Sequence, residues 1–493
     1  MFALYTDMPG FFNDICDEIR LFFPEKRIDQ MEEKEIVDAA RFLRHLFWQD
    51  ENGWHNRVEY FEHGVLRGKL ETTPDFLDDI SGKAIDITLP TLAAKKAKKH
   101  MVKGSIYTLL SSVTGESRPW GSLTGIRPTK LMRELAAAAG MQTASKLFRE
   151  KYHVTERKIS LSESIVKRQE NYLQGIGERD IDIYIGIPFC VSRCKYCSFI
   201  SRDLRYDAKL KDEYLVKLLF ELEQMKPVLE GYSPRAIYIG GGTPTSLEAA
   251  ELKQLLTVTA AMFPHVREFT VEAGRPDTIT PEKLDCIKRA GAGRISINAQ
   301  TTNDQTLERV GRRHTADDFF RAFALAKKYG FDSINTDIIL GLPGETIADV
   351  KKTLTDVTSF APENVTVHTL ALKHSSEFAL QNQSLLNAKN TEEMVELSRE
   401  TLEDLGYAPY YLYRQKYMSG NMENVGYALP GSESVYNIDI MEETAQIMAF
   451  GAGGISKRLF PERNLLKRAA NVKDIRSYID RTDEMAQRKK DLF

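Results

Sequence analysis

Alternating apolar positions start and stop six times between residues 181 and 370. In 181–189, Ile181, Ile183, Ile185 and Ile187 alternate with other residues, which is the period of a strand. Runs that read as strands follow at 236–240, 268–272, 294–298, 333–340 and 365–370. Between them the period lengthens. Residues 206–225 place Leu210, Tyr214, Leu218, Leu222 and Met225 on one helical face, and 316–328 and 347–360 also read as helices. Strand then helix, repeated, predicts a parallel sheet with right-handed crossovers. Six units fall short of a closed eight-stranded barrel. The fold class expected is α/β, a partial (six-unit) β/α barrel over 179–375. Function in such a sheet belongs at the carboxyl ends of the strands.

Residues 1–178 predict an N-terminal α+β and helical extension. Apolar spacing suggests helices over 32–47 and 131–148. The runs 58–62 and 65–71 predict a hairpin around His63-Gly64. The lysines of 95–99 suit a solvated helix face better than a phosphate site. The segment 118–130 holds two X-Pro bonds and two glycines, the chemistry of an irregular loop. Arg127 and Lys130 offer cations there, though a loop pinned against the next domain is the preferred reading. Residues 376–493 predict a C-terminal α+β region. Glycines in 450–456 suggest a close backbone approach, and the charged tail after Asn471 reads as peripheral helix.

Composition narrows the function classes. The chain has 493 residues, 42% apolar and 28% charged, with a net charge of −3. That balance calls for no nucleic-acid or anionic-membrane partner. No apolar run reaches membrane-spanning length, and the N-terminus lacks the pattern of a secretory signal. Five cysteines, three of them clustered, fit a metal site in a reducing cytoplasm better than a disulfide framework.

The clustered cysteines are Cys190, Cys194 and Cys197, spaced C-x3-C-x2-C on the loop leaving the first predicted strand. Three thiolates can hold three irons of a 4Fe–4S cluster and leave the fourth open. Zinc with a distant histidine, or buried thiols without metal, stay open on spacing alone.

The flanks add a resemblance. Gly186-Ile-Pro-Phe-Cys190 and the aromatic Tyr196 before Cys197 resemble the signature of radical S-adenosylmethionine (radical SAM) enzymes, in the branch that includes oxygen-independent coproporphyrinogen III oxidase. The 118–130 segment resembles HemZ-type proteins, a longer branch of that group. The resemblance implies a 4Fe–4S cluster whose open iron binds S-adenosyl-L-methionine (SAM). It also implies a barrel of the radical SAM type and a set of SAM contacts. Gly241, Gly242 and Thr243 match the glycine motif at the methionine amino group. Glu272 and Gln300 match polar contacts at the next two strand ends. Arg312 matches a partner for the SAM carboxylate, with Arg313 able to swap. Asp337 lies in Asn335-Thr-Asp-Ile-Ile-Leu-Gly-Leu-Pro and matches a ribose contact. Ala371 falls where the family backs the adenine. Tyr196 falls at the family's aromatic position, and Tyr184 matches a tyrosine supporting the SAM site.

The activity implied is anaerobic oxidative decarboxylation of coproporphyrinogen III propionates to vinyl groups, with an electron donor such as flavodoxin or ferredoxin. The alternatives are a haem-binding or haem-delivery protein that keeps the SAM and cluster site, and radical SAM chemistry on another tetrapyrrole. Tyr407, Tyr410, Tyr411, Tyr413 and Tyr417, with Arg414 and Lys416, suit either a tetrapyrrole sandwich or a buried strand. Departures from the family pattern are Gly186 in place of a histidine, Phe199 where established oxidases carry a fourth cysteine, and the missing C-terminal H-N-x-x-Y-W of the haem-chaperone branch.

Overall fold

The structure is a computed structural model that describes residues 2–24, 27–32, 39–372, 376–380, 388–415, 418–463 and 465–493. It divides into two units, residues 1–164 and 165–493, and the division falls inside the helix Glu156–Leu173.

The first unit is built on a five-stranded sheet. Strand Phe2–Thr6 pairs in parallel with Ile28–Gln30 and Arg41–Asp50, and the expected hairpin follows as Gly53–Glu62 and Val65–Thr72. Helices Phe12–Phe22 and Leu92–Thr114 cover one face around Phe2, Leu4, Ile19, Leu43 and Ile106. The helix expected over 32–47 is corrected here, because 41–50 is a strand; residues 33–38 lie outside the described residues. The cause is burial on both faces. Leu43 packs into the helix-covered core while Phe42 packs on Phe61 behind the sheet, so the alternation that marks a strand is lost. The 131–148 helix is two, Pro128–Ala139 and Met141–Glu150, separated by Gly140. The loop before them is held within its own unit. Trp120 is fully buried, Ser122 N–H and Thr155 N–H donate to Tyr152 O and Pro119 O, and a Cβ on Gly121 would strike Tyr152 O.

The second unit carries the repeats. Its parallel strands are β1 (Asp180–Ile187), β2 (Ser233–Gly241), β3 (Glu268–Glu272), β4 (Arg294–Ser296), β5 (Ser333–Leu340) and β6 (Asn364–Thr369). They lie in sequence order. Five more strands extend the same sheet: β7 (Ala408–Tyr413), β8 (Asn424–Ala428), β9 (Gln446–Phe450), β10 (Ile455–Phe460) and β11 (Leu465–Ala470). β8 joins β6 antiparallel, and β9 joins β1 in parallel. The sheet order is β7-β8-β6-β5-β4-β3-β2-β1-β9-β10-β11. The C-terminal strands thus flank the six-unit barrel on both sides.

The strand alternation sorts the two faces. Ile183, Ile185, Ile237, Ile239, Phe269, Val271, Ile295 and Val365 are buried and alternate with a polar and aromatic set. That set contains Asp182, Tyr184, Tyr238, Glu268, Glu272, Ser296, Asn335 and Asp337. The crossover helices Ala316–Lys328 and Ile347–Thr358 begin with capping boxes, Thr315 with Asp318 and Thr346 with Asp349, so their starts are fixed by local sequence.

The polar face is closed at its amino end by helix Val435–Glu442. Glu268 accepts from Ser434 Oγ at 2.8 Å, Val435 N–H at 2.7 Å and Tyr436 N–H at 3.1 Å, so a carboxylate caps the positive end of this helix. Tyr436 stacks on Tyr238 at 4.7 Å and on Tyr184 at 6.4 Å.

The tail is more than peripheral. Helices Ile475–Asp480 and Thr482–Leu492 pack on the long helix Leu204–Leu229, and Tyr478 and Met485 are fully buried. Between them Lys489 Nζ lies 2.5 Å from Glu221 Oε1, both buried. Glu221 also accepts from Tyr478 Oη, Asn471 Nδ2 and Gly451 N–H at 2.7–2.8 Å. Removing one partner of a buried pair leaves the other charge uncompensated. Lys489→Met should therefore cost about 3–5 kcal/mol in urea unfolding. A cost near zero would show that the network does not depend on the ammonium.

Candidate active site

The cysteine loop leaves the carboxyl end of β1. Gly242 N–H donates to Ile187 O and Thr243 N–H to Phe189 O, each at 2.8 Å. A Cβ on Gly242 would sit 2.6 Å from Phe189 O, and Gly241 adopts φ +107°. These glycines are needed because two backbones touch. Buried Thr243 brings its Oγ1 to 3.4 Å from Cys190 Sγ. On the far side Tyr214 Oη donates to Gly186 O at 2.6 Å and accepts from Ala452 N–H. A Cβ on Gly186 would lie 3.3 Å from Tyr184 and 3.4 Å from Phe450 O, so the family's histidine would crowd this position.

The three thiols lie close enough to act on one another. Burial first, then the neighbouring thiols, pushes Cys197 up to about 12 and raises Cys190. Arg275, buried and paired with Asp277, points Nη1 at Cys194 Sγ (3.7 Å) and Ser192 O (3.3 Å). This cation draws the Cys190 thiol down, against the burial that raises it. Among the described residues no three His, Cys, Asp or Glu side chains gather as ligands of a single ion. A 4Fe–4S cluster asks for a different arrangement, with each thiolate on its own iron. The remaining cysteine of this unit does not complete the set, since Cys286 lies on helix Pro281–Arg289 beside Ala249 O.

The other expected residues fall at consecutive strand ends. Glu272 ends β3, and burial followed by Asp337 raises its carboxyl to about 8. Gln300 adopts φ +64°, held by Gln300 N–H to Asp337 O and Ile339 N–H to Gln300 O. Its Oε1 is buried without a partner. Such strain and an orphaned acceptor are what a ligand site stores. Asp337 accepts from Asn335 Nδ2 at 2.8 Å and lies 3.4 Å from His368 Nε2. Arg312 is buried, and its Nη2 donates to Gly274 O and Asn298 O, both at 2.9 Å, while Nη1 donates to Tyr196 Oη at 3.2 Å. Only its Nε is left without a partner. Arg313 is exposed. Ala371, half-buried, bridges to Met418. Tyr184 stacks on Tyr238 at 6.4 Å. A cluster and SAM fit these residues: three thiols, a glycine cradle and an orphaned carbonyl oxygen.

Two residues were missed from sequence. Arg275 sits just past the end of β3, and the strand-end rule alone would have flagged it. His368 is the single imidazole in β6, facing Asp337 and Tyr413 Oη. In the aromatic segment, Tyr410 and Tyr411 are buried in β7 and Arg414 donates to Asn421 O. This matches the buried-strand alternative, while Lys416 and Tyr417 lie outside the described residues.

Two outcomes follow. Gly242→Ala should lower the iron and sulfide held per chain after reconstitution, because Phe189 O is backbone and cannot step aside; unchanged iron content would contradict this. Between pH 4.5 and about 8 the folded protein keeps a proton on Glu272 that the unfolded chain has lost. Stability from this group therefore falls as pH rises through that window. Glu272→Gln should flatten that decline in urea midpoints of the apoprotein, and an unaltered pH profile would count against it.

A family model described as the Radical SAM superfamily matches residues 184–357. The chain is 38% identical over 450 residues to the oxygen-independent coproporphyrinogen-III oxidase-like protein HemZ of Bacillus subtilis, covering 88% of this chain and 89% of that one. It is 33% identical over 279 residues to the heme chaperone HemW of the same organism, covering 55% and 69%. Coproporphyrinogen III oxidase (HemN) from Escherichia coli, a solved structure, matches with a TM-score of 0.52 at 23% identity over 65% of this chain and 73% of that one, and shares the fold. No helix among the described residues is long and apolar enough to cross a membrane. A 4Fe–4S cluster and SAM are the cofactors of the superfamily, and the chain belongs to it as a member of the oxygen-independent coproporphyrinogen III oxidase-like group.

Proposed function

We propose that the chain is a radical SAM oxidoreductase that converts propionates of coproporphyrinogen III to vinyl groups by oxygen-independent oxidative decarboxylation, in the cytoplasm. The observation that carries the reading is the likeness to the oxidase-like HemZ protein along 88% of the chain, extension included. Cys190, Cys194 and Cys197 would hold the cluster. Bound there, it would supply the electron for reductive cleavage of SAM.

The protein's own part is binding and orientation. The main chain of Gly241–Thr243 and the Glu272 carboxylate take the SAM ammonium, a charge that would bring Glu272 back to its ionised form. Arg312 reaches the SAM carboxylate through Nε, Gln300 Oε1 takes a donor, and Asp337 accepts from ribose hydroxyls. Tyr196 and Ala371 flank the adenine, and Tyr184 supports the site from the face of the sheet it shares with Tyr238. His368 and Tyr413 would be the side chains to meet the tetrapyrrole.

A second reading, haem binding or delivery with the cluster site retained, is favoured by the 33% identity to the heme chaperone HemW. The two separate in one anaerobic assay of reconstituted protein with SAM, a reductant and coproporphyrinogen III. Protoporphyrinogen IX formed with 5′-deoxyadenosine, and lost in Cys194→Ala, is the expected result. 5′-Deoxyadenosine with unchanged porphyrin would point to another tetrapyrrole. Neither product, together with stoichiometric haem binding, would establish the second reading.

A further inference from the structure

Just past the end of β3, the sequence Gly274-Arg-Pro-Asp277 buries a guanidinium against the cysteine loop. Arg275 is 3% exposed. Its Nε and Nη2 donate to the two carboxylate oxygens of Asp277 at 3.0 and 2.8 Å. Its Nη1 donates to Ser192 O at 3.3 Å and to Cys194 Sγ at 3.7 Å. The main chain is pinned as well. Arg275 O accepts from Thr278 Oγ1 at 2.7 Å, and Thr278 Oγ1 lies 2.7 Å from Thr245 Oγ1 on the turn that follows Gly241–Thr243. Moving the side chain would leave a buried cation without its carboxylate, so it is held at the sulfur.

A guanidinium keeps its charge through the whole working range of pH. Asp277 is the more open partner, with 24% of its side chain exposed against 4% for Arg275. Water screens the carboxylate more than the cation, and the carboxylate is bonded through Nε and Nη2 while Nη1 faces Cys194. The sulfur therefore meets the positive end of the pair. Reduction of a 4Fe–4S cluster adds a negative charge that its sulfurs share. A cation and an N–H donor at one sulfur stabilise the reduced form more than the oxidised one. We propose that Arg275 acts through Cys194 as a positioning residue that raises the reduction potential of the cluster, with Asp277 limiting the rise. The proposal rests on the cluster and not on the identity of the substrate. A mere brace for the loop would use the same contacts and leave the potential alone.

The test is an anaerobic redox titration of the reconstituted full-length chain without SAM, followed by electron paramagnetic resonance, with iron and sulfide counted in each sample. Arg275→Met should lower the midpoint by about 59 mV, a tenfold fall in the ratio of reduced to oxidised cluster at a given potential. Asp277→Asn should move it the other way. The double variant, which buries no lone charge, should fall below the parent but above Arg275→Met. Equal midpoints in parent and variants overturn the proposal, as do shifts of the same sign in the two single variants. If Arg275→Met holds no cluster, an Asp277→Asn midpoint at or below that of the parent overturns it. Opposite shifts in a chain that leaves coproporphyrinogen III unchanged keep this role for Arg275 and remove the oxidase reading. A parent chain that takes up no iron overturns both.

Discussion

The site depends on one close contact, the main chain of Gly241–Thr243 against that of Ile187–Phe189. Two N–H groups of the second strand's exit bond two carbonyls of the first strand's exit, and there is no room for a Cβ between them. The consequence is positional. The cysteine loop starts from a backbone already fixed by a neighbouring strand, and the same glycines carry the main chain of β2 past the strand ends. Gly186 and Gly451 repeat the arrangement on the other side, where a Cβ on Gly451 would lie 2.6 Å from Gly186 O. The first strand's exit is thus gripped from both neighbours. The buried Glu221 carboxylate, which accepts from Gly451 N–H, ties that grip to the C-terminal helices.

A second constraint concerns what the sheet hides. Its helix-covered face is almost wholly aliphatic, and its other face carries carboxylates, amides and stacked tyrosines. A polar face is tolerated only where each group has a partner or a ligand to come. Most do: Glu268 holds a helix start, Arg294 donates to Ser432 O and Asn364, and Asp439 pairs with Arg235. Thr270 Oγ1, midway along β3, has no partner. Gln300 Oε1 and Arg312 Nε sit at the carboxyl ends, the place expected for a ligand. Asp182 sits near the amino end with both carboxylate oxygens unpartnered, and burial with nearby Asp439 raises its pKa. A proton held there removes the cost of a naked charge, so an orphan at that end does not imply a site.

Much of this was legible before any coordinates. The bounds expected at 268–272, 333–340 and 316–328 are those of the structure, because a strand buried under helices and a capped amphipathic helix both declare themselves locally. The expected site residues came instead from motifs that resemble the family's, and the strand-end rule set them in one row. What failed was non-local. Arg41–Asp50 buries both faces and so imitates a helix in its apolar spacing. The return of β9 to pair with β1, across some 260 residues, leaves no trace in either segment's pattern. The partners of Arg312 are likewise distant in sequence, two carbonyls just past β3 and β4 and the Tyr196 hydroxyl, so sequence named the residue without showing how much of its guanidinium the fold already uses.

The two functional readings share every residue at the cysteine loop and the glycine turn. They part only in what meets the tetrapyrrole. Catalysis requires that a propionate carbon be held against the SAM site and that water be kept out. Delivery requires a ligand for haem iron that can let go. The face beyond Asp337 offers His368, whose Nε2 lies near that carboxylate and whose Nδ1 is 3.4 Å from Tyr413 Oη. An imidazole occupied on both nitrogens is better placed to orient a carboxylate or ribose neighbour than to ligate iron. Haem ligation would first have to break one of those contacts. On that chemistry His368 is a positioning group, a role that either reading can use.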